Sequence, residues 1–393
     1  MLVQASLDAY EHAGLPPKPE KCRLFSPDFE ALGARVARGW VSAKGAHLAS
    51  TLVLLAAALE SGRATEPLLA TLLALLVHCM LFRREAFCLL ERSFQWLSKL
   101  REGSRSGRWP PDVRDELVTV GLLLPLIGTD QRAPVVPELV CTDARGGVRP
   151  RAGLCRSTLQ PEVARELWRL RTKKGGPATL DDSASRQLRE LRKAYLDIGV
   201  DPEELDAALP EPGDDYVVFT REWVGQLLSA LDWRGAFGVD LPSREHINLS
   251  EYRALRLGVR RLMREGQFGS RMLFVTDSNV VLGAVAKGRS RSAKLIKLQQ
   301  QLVSEMLFAN IYIGVLPAAS KDNPADAPSR CQPLQNSTAL ASERGVPAWT
   351  RRFVDGDLKA IDSFLRGYTE RGERWLFRER AGEGHARARS EWI

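Results

Sequence analysis

Four carboxylates in the 393-residue chain stand where acidic side chains can act together. Asp143 and Asp277 each follow a short β-prone run, Pro137 to Thr142 and Arg271 to Thr276, which predicts both at strand ends. Glu251 opens a segment in which Tyr252, Leu255, Val259 and Leu262 recur at three- and four-residue spacing, the pattern of a helix with one apolar face. Asp326 opens a short helix after a third run, Asn310 to Val315, that Pro317 stops. Acidic groups from neighbouring strand ends and helix starts can converge on one rim of a sheet. Gathered there they repel one another and require cations between them. Hard oxygen donors suit Mg²⁺ or Mn²⁺. Two such ions about 3.5–4 Å apart activate water and stabilise the leaving oxygen in phosphodiester hydrolysis. Singly, each residue has a plainer use, the Asp as a turn or cap and the Glu as a complement to the helix dipole. The chemistry needs all four, in this order, between these elements.

The elements that must position them alternate short apolar strands with helices, which predicts an α/β (α+β) domain over 126–330. Within it, Ser292 to Leu307 carries a second apolar stripe, Leu295, Leu298, Leu302, Met306 and Leu307. The segment 165–240 reads as an insertion, helical in parts. It holds Lys173-Lys174-Gly175-Gly176-Pro177, an acidic run from Glu203 to Asp215 with a loop at Pro210 to Gly213, and an apolar stretch from Trp223 to Trp233. Upstream, 46–125 is rich in Leu and Ala and predicts a small helical domain. His47 to Leu59 and Leu68 to Phe82 form a hairpin broken at Ser61-Gly62, followed by Asp112 to Leu124 with Pro110 and Pro111 at its start. Leu68 to Phe82 falls short of the roughly 20 apolar residues of a membrane span and is bounded by Glu66, Arg83 and Arg84, so a buried helix is expected. Residues 331–393 are polar and Arg-rich and read as a partly ordered basic tail.

Composition narrows the partners. Hydrophobic residues at 44% and charged residues at 26% exclude a wholly disordered or collagen-like chain. Lys and Arg number 56 against 48 Asp and Glu, a net +8 that tilts toward a polyanionic partner. Six scattered cysteines, Cys22, Cys79, Cys88, Cys141, Cys155 and Cys331, include no CxxC pair, so neither a zinc site nor a disulfide framework is expected. The first residues carry no secretory signal pattern, and a reducing cytoplasmic or nuclear setting is the expectation.

The motifs around the four carboxylates are distinctive when taken together. Asp143 lies in Leu-Val-Cys-Thr-Asp-Ala, Glu251 in Ile-Asn-Leu-Ser-Glu-Tyr-Arg-Ala-Leu, Asp277 in Phe-Val-Thr-Asp-Ser-Asn and Asp326 in Asp-Asn-Pro-Ala-Asp-Ala-Pro-Ser-Arg. This set resembles the motifs of a retrotransposon ribonuclease H domain over about 135–330. Upstream, Ala9 to Leu15, Lys18-Pro19-Glu20-Lys21-Cys22 and Phe29-Glu30-Ala31-Leu32-Gly33 resemble the end of a reverse-transcriptase palm, over 1–45. The helical hairpin then resembles a thumb.

The resemblance implies a ribonuclease H-like mixed sheet with flanking helices. It also implies a nuclease in which Asp143, Glu251, Asp277 and Asp326 hold two Mg²⁺ ions over the RNA strand of an RNA–DNA hybrid. Backbone contacts from Ser278 and Asn279, and phosphate contacts from Arg289, Arg291, Lys294 and Lys297, complete the expected site. The family often places a mobile histidine before its last Asp. Pro317 to Lys321 supplies none, and Lys321 is the residue that can assist instead. The spacing of 108 residues between Asp143 and Glu251 exceeds the family's compact arrangement, which leaves Asp232 and Asp240 as alternatives for the first ligand, although neither follows a TDA-like strand. The family's polymerase aspartates lie upstream of these motifs, and no Tyr-x-Asp-Asp occurs here, so DNA synthesis by this chain alone is not expected and a missing upstream polymerase segment is. A binding module of the same fold without catalysis is the alternative.

Overall fold

The computed structural model describes residues 26–173, 215–334 and 345–364 except 104, 148, 243, 244 and 363, together with residues 8, 9, 11, 12 and 14. The Lys18 to Cys22 motif, Tyr10, Ala13 and Leu15 of the Ala9 to Leu15 motif, Lys174 to Asp214 and most of the C-terminal tail lie outside the described residues. The chain divides into two compact units, one comprising Met1–Arg84 and Leu89–Arg132, the other Glu85–Cys88 and Ala133–Ile393.

The first unit pairs β1 (Asp28–Ala31), β2 (Ala34–Ala37), β3 (Trp40–Ala43) and, last in the chain, β6 (Gly128–Asp130) in an antiparallel sheet of that order. The Phe29 to Gly33 motif is thus a strand and the tight turn after it, with Leu32 and Gly33 both at positive φ. Four helices follow β3: α1 (Gly45–Glu60), α2 (Glu66–Met80), α3 (Glu91–Glu102) and α4 (Pro111–Leu123), with a short ribbon of β4 (Arg63–Thr65) and β5 (Ser106–Arg108) among them. Gly62, at φ +70°, reverses the chain between α1 and α2. The Thr65 hydroxyl oxygen accepts from Leu68 N and caps α2, whose first turn also holds Pro67. The run Glu66–Glu102 is long and apolar enough to cross a membrane by length and composition. Leu69, Leu72, Leu73, Leu76, Cys79 and Met80 of that run are nonetheless buried in the core. Trp109 packs on Trp96 at 5.0 Å between ring centres and donates its indole N–H to Ala58 O at 2.8 Å, tying the ribbon to α1.

The second unit is built on five strands: β7 (Val135–Arg145), β8 (Arg151–Thr158), β9 (Arg234–Asp240), β10 (Arg271–Thr276) and β11 (Tyr312–Pro317), in the order β9-β8-β7-β10-β11. The first three form an antiparallel meander, and β10 and β11 add to it in parallel. Period-two alternation assigns the faces. Leu139, Cys141, Leu273 and Val275 point to one core with α5 (Pro161–Arg169) and α6 (Asp215–Ser229). Val140, Met272 and Phe274 point to the other, against α7 (Ile247–Arg264), α8 (Asn279–Lys287) and α9 (Ala293–Ala309). A final short helix of the site, α10 (Asp326–Ser329), follows β11, and α11 (Ala348–Val354) comes after it. The expected α/β (α+β) class, a mixed sheet with flanking helices, is the fold observed.

Several boundaries differ from expectation, each for a physical reason. The strand bearing Asp143 does not end there but continues to Arg145, because Asp143 and Ala144 still pair with Gly153 and Ala152 of β8. Pro317 is the last residue of β11 rather than a residue beyond it. An edge strand tolerates the missing N–H. The segment 165–240 is not wholly an insertion. Its apolar stretch is α6, with Trp223, Val224, Leu227 and Leu228 in the core, and 234–240 is the edge strand β9. Nor is the segment after 330 only a polar tail, since Phe353, Ala360 and Ile361 are buried on the α5–α6 face and Trp349 donates to Gln226 Oε1 at 3.0 Å.

Candidate metal centre

The sheet changes from antiparallel to parallel between β7 and β10, and the candidate ligands gather at that junction. Asp143 sits on β7. Asp277 directly follows β10, whose ladder to β7 reaches Cys141. Glu251 arrives from α7. That helix begins at Ile247 with His246 as its cap, so Glu251 lies one turn inside rather than at the opening, where it faces the sheet with Leu249, Tyr252, Ala254 and Leu255. Ligand oxygens of Asp143, Glu251 and Asp277 all lie within 4.8 Å of one another. Asp143 and Glu251 are 6% and 8% exposed, so two of three carboxylates are held almost out of water.

Asp326 is close enough for its charge to act on Asp143 but is not among the three converged groups. Its Oδ1 accepts instead from Arg330 Nε at 2.7 Å, an exposed pair across one helical turn. The loop that brings it near depends on Gly153 of β8. A Cβ there would lie 2.4 Å from Ala325 O and from Ser329 N, so the α10 turn can sit on the strand only where no side chain intervenes. Asn323, which sequence reading quoted only as part of a motif, stitches the site together. Its amide donates to Thr142 O at 3.0 Å and lies 3.5 Å from Asp277 Oδ1.

The electrostatics follow from crowding. Burial, and then the charges of Asp143 and Asp277, push the Glu251 carboxyl from 4.5 to about 9. Burial raises Asp143 from 3.8 to about 6, with the charges of Asp277 and Asp326 adding to the rise and hydrogen bonds from Ser329 and the Ala144 backbone opposing it. Glu251 Oε2 is buried with no hydrogen-bond partner among the described residues. An orphaned carboxylate oxygen facing two more carboxylates fits a hard divalent cation, which would supply the missing partner and remove the repulsion.

The remaining expected residues lie outside the three-carboxylate group. Ser278 is the cap of α8, its hydroxyl accepting from Val281 N at 3.4 Å, and Asn279 is the first residue of that helix. Arg289, Arg291, Lys294 and Lys297 are exposed in the α8–α9 connection and the first turns of α9. Lys321 is exposed in the turn Ser320–Asp322 ahead of Asn323. Asp232 and Asp240 are not in the cluster. Asp232 is exposed before β9, and Asp240 pairs with Arg151 Nη1 at 2.7 Å. Arg221 of α6, which carries no motif, was not singled out from sequence. Its Nη2 donates to Asp277 O at 3.0 Å and to Asn279 Oδ1 at 2.7 Å.

No family model and no curated protein matches the chain. Among solved structures, it is similar to one of a foamy viral protease-reverse transcriptase in complex with an RNA/DNA hybrid. The identity is 10% and the TM-score 0.24, with 82% of this chain and 54% of that chain covered. The chain thus spans about half the length of that protein.

Proposed function

We propose that the second unit is a metal-dependent nuclease of the ribonuclease H type, which hydrolyses the RNA strand of RNA–DNA hybrids. The observation that carries this reading is the meeting of Asp143, Glu251 and Asp277 from three distant stretches of chain within 4.8 Å, with one buried carboxylate oxygen unpartnered among the described residues. Those three residues, with Asp326 beside them, would hold Mg²⁺ or Mn²⁺. Two ions bound there would activate a water for in-line attack on phosphorus and stabilise the departing 3′ oxygen.

The chain's own groups then have separate tasks. Glu251 would have to release its proton to serve as a ligand, since burial and the neighbouring carboxylates raise its carboxyl to about 9. Asn323 keeps the Asp277 loop and the strand before Asp143 in register. Exposed Arg289, Arg291, Lys294 and Lys297, with Lys321, Ser278 and Asn279, take phosphates and backbone of the hybrid. Selection of RNA in the cut strand rests on 2′-hydroxyl contacts across the shallow minor groove.

The test is cleavage of a hybrid labelled on its RNA strand, with Mg²⁺ and with chelator, by the full chain and by Asp277→Asn. Mg²⁺-dependent cleavage lost in Asp277→Asn supports the reading, and cleavage unchanged in that variant refutes it. A second reading, a binding module without catalysis, is favoured by one observation: Arg330 already occupies a carboxylate oxygen of Asp326. Salt-sensitive hybrid binding with no cleavage at any Mg²⁺ concentration would decide for it.

A further inference from the structure

The ladder between β10 and β11 ends at Thr276, whose carbonyl accepts from Ala318 N at 2.9 Å. Asp277 is the next residue, so its carbonyl needs a partner outside the sheet. Its carboxylate meanwhile converges on two others within 4.8 Å. Among the described contacts of its side chain, the one from Asn323 is long, at 3.5 Å. What supplies the backbone partner is Arg221, on the far side of the site from α7. One of its guanidinium nitrogens bridges Asp277 O and Asn279 Oδ1, joining the end of the strand to the first residue of α8.

The helix that presents Arg221 is fixed on three sides. Trp223, Val224, Leu227 and Leu228 are buried in the core, and Gln226 accepts from Trp349. At Gly225 a Cβ would stand 2.5 Å from Asp322 Oδ2, so α6 lies directly against the turn that leads to Asn323. The Arg221 Nε is buried without a partner among the described residues. A guanidinium held in place despite an unsatisfied donor is retained for what its other nitrogens do.

We propose that Arg221 is a positioning residue of the carboxylate centre: by bridging Asp277 O and Asn279 it holds the Asp277 carboxylate toward Asp143 and Glu251 and thereby sets the affinity for divalent cations. This rests on the nuclease reading above and deepens it. The probe is Mn²⁺ alone, titrated into the full chain and followed by the paramagnetic signal of the free ion, alongside steady-state cleavage of the hybrid. Arg221→Met is expected to bind Mn²⁺ about ten-fold more weakly and to lower kcat, with KM for the hybrid changed less than about two-fold. Asn279→Ala removes one acceptor and is expected to weaken Mn²⁺ by a few-fold. The double variant should be no weaker than Arg221→Met alone, since both act through one bridge.

Mn²⁺ affinity in Arg221→Met equal to the parent's, a rise confined to KM, or fully additive losses in the double variant would each overturn the assignment. Asn279 is exposed, so if Arg221→Met does not fold, Asn279→Ala decides: weaker Mn²⁺ binding upholds the bridge and unchanged binding overturns it. A parent chain that binds no Mn²⁺ overturns the metal-dependent reading and this one with it. Parent binding that Arg221→Met leaves intact overturns this one alone.

Discussion

Replacing Glu251 by Gln should stabilise the metal-free protein at neutral pH, although the substitution removes a proposed metal ligand. In the folded chain the Glu251 carboxyl keeps its proton up to about pH 9, whereas an unfolded chain releases it near the ordinary value of 4.5. Between these values unfolding sheds a proton that the folded state retains, so stability falls as pH rises, by about 1.4 kcal/mol per unit. The sign is that of a raised acid: its contribution is fully present below 4.5 and is lost as pH climbs toward 9. From 4.5 to 7 the loss amounts to about 3 kcal/mol. Gln cannot ionise and so escapes it, while its amide offers a donor to the two neighbouring carboxylates. Chemical denaturation in the presence of chelator, repeated from pH 5 to pH 8, measures this directly. The two proteins should be nearly equal at pH 5, and the Gln variant should lead by about 3 kcal/mol at pH 7. Added Mg²⁺ should reverse the order, because it stabilises only the chain that can offer three carboxylates. Parallel pH profiles for the two proteins would mean that Glu251 is ionised in the folded metal-free state, and the crowding account would fail.

Gly153→Ala should cost about 1–3 kcal/mol in a denaturation experiment, because its methyl would stand where Ala325 O and Ser329 N now lie, and it should weaken Mn²⁺ binding by moving Asp326 away. Arg330→Gln should change stability by no more than about 1 kcal/mol, the pair with Asp326 being exposed, yet strengthen binding of a second Mn²⁺ by freeing that carboxylate. Stoichiometry and affinity unchanged in this variant would show that Arg330 does not compete with cations. In the first unit, Trp109→Phe should cost about 1–3 kcal/mol by leaving Ala58 O without its indole donor, read as a lower denaturation midpoint with near-normal hybrid cleavage.

The strands that carry the candidate ligands were the ones legible in the sequence. β10 and most of β7 and β11 are continuous apolar runs because both faces of the sheet are covered, and each run stops at or near a residue with a visible task, Asp143, Asp277 or Pro317. β8 and β9 were missed for the converse reason. Gly153, Gly235 and Gly238, with Arg151, Arg156 and Arg234, give them no alternation to detect. Yet Gly153 is there because α10 must press on the strand, so the residue that hides β8 from propensity is the one that brings Asp326 near. The long spacing between Asp143 and Glu251 has the same kind of explanation. Besides residues 174–214, which lie outside the described residues, it contains β8, α5, α6 and β9, elements of the same sheet and core, and α6 returns Arg221 to the rim that Asp143 left.

What sequence could not supply was the state of the fourth carboxylate. Asp326 and Arg330 stand four apart on a short helical turn, and that spacing makes an ion pair whether or not a cation is near. An exposed pair of this kind is worth about 1 kcal/mol or less, whereas the strain stored in the buried group at Glu251 is several times larger. On the proposed reading, cation binding would therefore have its main driving force in the Asp143–Glu251–Asp277 group, and Arg330 would modulate but not block it. The proposal then predicts a first ion at the buried group and a second in competition with Arg330, and the second titration step should be the more sensitive to ionic strength because that pair is exposed.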